Sequence, residues 1–123
     1  MICPSCGTEN EAGRKKLIDV IDGLRPGEVW PSLHALRDRA QARLGAARGE
    51  IDGVDQGFRA AAARFRSIGV PYWLAGTLTE HGEWLARHER SDEVGVPLDE
   101  ARAIFERLQA KPWLERLDAV PAR

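Results

Sequence analysis

Residues 61–68, AAARFRSI, and residues 101–108, ARAIFERL, lie 40 positions apart and set Ala61 on Ala101, Phe65 on Phe105 and Ile68 on Leu108. The same shift carries Trp73-Leu74 onto Trp113-Leu114. An internal repeat of this length is the signature of a fold assembled from one recurring unit. Ala lets two helices approach closely, the aromatic four residues on fills the space between them, and the Trp-Leu pair opens the next helix against both. The expected architecture is therefore all-α, an array of stacked antiparallel helical hairpins.

Working outward from the repeat, Phe58, Ala61, Ala62, Phe65 and Ile68 trace one helical face until Gly69-Val70-Pro71 ends it. The next helix is expected over about 72–88, with Leu74, Leu78, His81, Leu85 and His88 in a stripe of spacings four, three, four and three. His81 lies within that stripe and reads as a core or interface histidine, and His88 as a helix-end residue. Residues 91–97 read as a loop ahead of a helix over 98–110, which points Ala101, Ile104, Phe105 and Leu108 inward. Lys111-Pro112 breaks that helix and a short last helix follows over 113–120. Toward the N-terminus, Leu33, Leu36, Ala40, Leu44 and Ala47 fall at helical spacing, with Ser32 as the expected N-cap and Gly49 as the stop. The apolar stretch 17–24 fits a helix or a strand.

The whole chain has 123 residues, 43% of them hydrophobic, enough for one compact domain with a modest core. Its formal net charge of -1 argues against a protein that coats nucleic acid or a membrane by electrostatics. The charges are uneven: residues 37–66 carry seven Arg against four acids, and residues 80–107 carry eight acids against four Arg. No run of 18 apolar residues is present, and the first residues lack a basic, hydrophobic leader, so a cytoplasmic protein is expected.

The Ala-x-x-x-Phe-x-x-[Ala/Leu] pattern of Ala61, Phe65 and Ile68, and of Ala101, Phe105 and Leu108, resembles the second helix of the tetratricopeptide repeat. Leu78, His81, Gly82 and Leu85 loosely match its first helix, and the resemblance spans roughly residues 32–120. The period of 40 is longer than the family's 34, with the excess in the 91–97 loop. More narrowly, residues 69–86, GVPYWLAGTLTEHGEWLA, look like the C-terminal repeats of bacterial signalling ATPases related to class III adenylate or guanylate cyclases and AAA-type regulators. The opening CPSCGTENEAG resembles the N-terminal zinc ribbon of the same proteins. The resemblance implies a right-handed tetratricopeptide-like array over 32–123, a half zinc-ribbon over 1–16 as a short irregular knuckle, and a linker with a short apolar element over 17–31. The ribbon's second Cys pair, the cyclase domain and the Gly-x-x-x-x-Gly-Lys-[Ser/Thr] loop are missing.

Cys3 and Cys6 have the spacing of half a four-cysteine zinc site, because two thiolates three apart can grip one ion. Structural zinc takes four protein ligands, so the two cysteines bind it only with two more, for instance those of a second chain in a homodimer. No Gly-x-Ser-x-Gly or Gly-x-Gly-x-x-Gly motif occurs, and no catalytic residue is expected. The leading expectation is a non-catalytic scaffold that binds a protein or peptide partner. Arg37, Arg39, Arg43 and Trp84, the last of these off the Leu stripe, are its expected contact residues, with Trp73 and Trp113 in the core. The alternatives are a dimeric regulatory module sharing zinc through Cys3 and Cys6, and a remnant of a larger regulator without activity of its own.

Overall fold

The computed structural model describes residues 7–25, 27 and 30–120, and every regular element among them is helical. Six α-helices follow one another: α1 (Gly7–Asp22), α2 (Pro31–Ala47), α3 (Val54–Ile68), α4 (Pro71–Arg87), α5 (Gly95–Leu108) and α6 (Lys111–Asp118), with a 3₁₀ turn at Ser91–Glu93 before α5. The chain divides into two compact units, Met1–Arg64 and Phe65–Arg123, so the division falls within α3.

In the first unit the apolar stretch 17–24 is helical, being the C-terminal part of α1. Ile18 and Ile21, one turn apart, are buried, and Ile18 joins Ala40 and Leu44 of α2 in one apolar cluster. The knuckle read as irregular over 1–16 is helical from Gly7 onward. Helix α2 begins at Pro31 with an extended Trp30 as N-cap, and no side chain caps it. Ser32 is therefore not the cap: proline has no N–H to satisfy, suits the first helical position, and holds the residue before it extended. As expected, α2 stops at Gly49, whose φ of 77° takes the left-handed conformation that glycine adopts without a Cβ clash.

Helices α2 and α3 pack through small residues. A Cβ added at Gly57 would lie 3.1 Å from the Ala42 Cβ, and one at Gly45 would lie 3.0 Å from Val54 Cγ2. Along α3 the face read from the sequence is the buried one, with Phe58 and Phe65 at 2% and 1% exposure.

In the second unit α4 is covered on every side over most of its length: residues 74–82, 84 and 85 are all buried. Thr77 and Thr79 each donate their hydroxyl to the carbonyl one turn back, at Trp73 and Ala75, so these polar groups are satisfied without leaving the helix. Gly82 faces Leu98 of α5 at a distance that admits no side chain. Helix α5 starts three residues before the expected Leu98, and α6 starts at Lys111 rather than Trp113. Both differences have one cause: Pro97 and Pro112 sit in first turns, where a missing N–H breaks no intrahelical bond. Leu108, expected inward, is 46% exposed on the last turn of α5.

Candidate functional site

Two helix-to-helix turns of the second unit share one backbone geometry at the 40-residue shift. Gly69 after α3 and Gln109 after α5 both take left-handed φ values, 74° and 55°. Val70 N–H then donates to the Phe65 carbonyl at 3.2 Å, and Ala110 N–H to the Phe105 carbonyl at 3.0 Å. These bonds satisfy carbonyls that a helix end otherwise leaves open. Each new helix then places a Trp at its third position, over the Phe of the helix before. Phe65 and Trp73 stack at 6.3 Å with an interplanar angle of 18°, and Phe105 and Trp113 at 5.0 Å with 10°.

Tyr72 joins the two stacks. Its ring meets Trp73 edge-on at 6.1 Å and Trp113 at 6.2 Å, and the Trp113 Nε1–H donates to its hydroxyl at 2.9 Å. The Arg116 guanidinium lies 5.0 Å from the Trp113 ring centre while making two bonds to Glu83, at 2.7 and 2.8 Å. That hydrogen-bonded carboxylate raises the Arg116 pKa above the ordinary arginine value, against the opposing effect of burial. The Phe rings are fully buried, yet Tyr72 is 48% and Trp73 44% exposed, and Trp113 is half-buried. The result is an aromatic ledge, fixed from below by stacking and from the side by a hydrogen bond and an ion pair, whose Tyr72 hydroxyl keeps its own hydrogen to donate.

The residues expected to contact a partner lie elsewhere. Arg37 is turned to Asp22 of α1, with Nε 2.6 Å from Oδ1 and Nη2 3.2 Å from Oδ2, and Nη1 2.7 Å from the Gln41 amide oxygen. The pair lowers the Asp22 pKa and raises that of Arg37. Arg39 is buried and Arg43 half-buried, and both are held by interactions within the chain. Three of the four residues belong to the first unit and Trp84 to the second.

The exposure expected of Trp84 is corrected: it is 1% exposed, stacked on His88 at 4.4 Å. The stripe rule assumes a helix with a wet face, and α4 has none over this stretch. The exposed and buried tryptophans thus exchange places, since Trp73 and Trp113, expected in the core, sit at its edge. Tyr72 was missed altogether, although Pro71-Tyr72-Trp73 sets two large aromatics side by side at a helix start. His81 is buried as expected, and His88 caps α4, its Nδ1 2.8 Å from the Trp84 carbonyl.

Cys3 and Cys6 lie outside the described residues. Among the described residues no group of three or more His, Cys, Asp or Glu side chains is placed to hold a metal ion. No described helix is long and apolar enough to cross a membrane. No family model, no curated protein and no solved structure matches the chain.

Proposed function

We propose that this chain is a non-catalytic protein-interaction scaffold of tetratricopeptide-like hairpins, and that it meets its partner through the aromatic ledge of Tyr72, Trp73 and Trp113. The observation that carries the reading is the pair of neighbouring large aromatics left about half exposed, at 48% and 44%. Large aromatic side chains dominate interface energetics, and a ring already fixed by stacking loses little conformational freedom when a partner covers it. The recurrence of the same turn at a 40-residue shift supports the repeat reading, because it generates both Phe-Trp stacks in the same way.

The test is selection of random 12-residue peptides displayed on phage against the immobilised full chain, with a Tyr72→Ala/Trp73→Ala variant as counter-screen. Both replaced side chains are substantially exposed, so the variant keeps its helical circular dichroism. Clones that bind the parent chain at least about tenfold better than the variant are expected, the size of loss that truncating an interface anchor brings. Failure to enrich any clone, or clones indifferent to the substitutions, refutes this function.

A further inference from the structure

Beside the ledge, the last turn of α3, the first turn of α4 and the middle of α5 form a groove of about 250 Å³. Phe65, Leu74 and Ile104 give it an apolar lining, and Arg66, Glu100 and Arg107 supply its charges. The volume is below the roughly 300 Å³ at which small-molecule sites begin, so it suits one or two side chains of a ligand that continues over the neighbouring surface. Phe65, itself buried, lies at the floor of the groove and beneath Trp73, so groove and ledge adjoin.

The charges select the occupant. Arg66 and Glu100 neutralise each other, with Nη2 2.8 Å from Oε1 and Nε 3.3 Å from Oε2. Arg107 is exposed and has no ion-pair partner among the described residues, so among those residues the groove carries one positive charge in excess. We infer that this groove holds an acidic segment of a protein partner, which seats an apolar side chain among Phe65, Leu74 and Ile104 and brings a carboxylate to Arg107. The inference rests on the interaction reading above and adds the chemistry of the partner to it.

The experiment takes the 12-residue clones selected on the full chain, sequences them, and measures the synthetic peptides by fluorescence polarisation at 50 and 300 mM NaCl. The expected consensus places Asp or Glu within a few residues of Leu, Ile, Met or Phe. Arg107→Glu is expected to weaken these peptides by roughly 3- to 10-fold, the scale of an exposed ion pair lost and replaced by a repulsion. Raising the salt should weaken them too, because exposed charges are screened. Glu100→Gln should act in the opposite sense, strengthening binding roughly 2- to 3-fold by leaving Arg66 unpaired at the rim. Peptides that lose affinity with Trp73→Ala but bind Arg107→Glu and Glu100→Gln as they bind the parent chain overturn this inference and leave the interaction reading standing. Failure to enrich any peptide overturns both.

Discussion

Replacing Gly82 by Ala tests the α4–α5 packing on which the second unit rests. In an exposed helix interior this change is worth about 1 kcal/mol of added stability, because alanine restricts the unfolded chain and favours the helix. Here the new Cβ would lie 2.8 Å from Leu98 Cγ and closer still to one of the Leu98 methyls. Leu98 is only 8% exposed, so its branched end has little solvent to swing into. Forcing a methyl into a filled core costs about 1–3 kcal/mol, and a clash with both a branch carbon and its methyl belongs in the upper part of that range. The two effects together leave Gly82→Ala less stable by about 1–2 kcal/mol.

Leu98→Ala alone should cost about 2–4 kcal/mol through the cavity it opens. In that background the Gly82→Ala methyl enters vacated space and the helix-propensity gain of about 1 kcal/mol re-emerges. The sign of the same substitution therefore reverses between backgrounds, with a coupling of about 2–3 kcal/mol in a double-mutant cycle. Urea unfolding of the four proteins, followed by far-UV circular dichroism, measures it. If Gly82→Ala stabilises the parent chain, or changes both backgrounds by amounts within about 0.5 kcal/mol of each other, the close approach of α4 and α5 is refuted.

Other outcomes follow from single features. The Arg37 guanidinium holds the Asp22 pKa below its ordinary value, so the pair's contribution is fully present above about pH 3.9 and is lost as the pH falls through the lower folded value. Urea midpoints taken from pH 6 down to pH 2 should show that loss, and Arg37→Ala should flatten it. At the left-handed C-caps, Gln109→Gly is expected to add about 0.5–1 kcal/mol and Gly69→Gln to remove about 1–2 kcal/mol, read from thermal unfolding. Acrylamide quenching separates the tryptophans: Trp73→Phe should reduce the accessible fraction of the emission, and Trp84→Phe should leave the accessible component in place.

Much of the helical order was legible because it is local. The Phe58–Phe65 face of α3, the glycine stop after α2 and the Ala-x-x-x-Phe recurrence all depend on residues within one or two turns. Helix starts were misplaced wherever proline occurred, because proline reads as a breaker in a sequence but is harmless in a first turn. The candidate site was less legible for a different reason. Whether an arginine is free depends on partners far along the chain, as with Arg37 and Asp22, 15 residues apart, or Arg116 and Glu83, 33 apart. The Leu stripe assigned Trp84 to the outside and the 40-residue repeat assigned Trp73 to the inside, and both were reversed because α4 is enclosed in its middle and open at its first turn.

Helix α6 has eight residues, fewer than an isolated helix needs to persist in water. It is held by the Trp113 stack on Phe105, by Arg116 on Glu83, by Arg102 on Asp118 and by buried Leu117. Such a segment is the natural place for sub-global opening, and its amide hydrogens should exchange with solvent ahead of those of α4 and α5. Opening α6 would dismantle one side of the ledge by withdrawing Trp113 from Tyr72. The complete ledge therefore exists only in the fraction of molecules with α6 docked, and any ligand that uses Trp113 must slow exchange in α6 by the same free energy with which it binds the closed form over the open one.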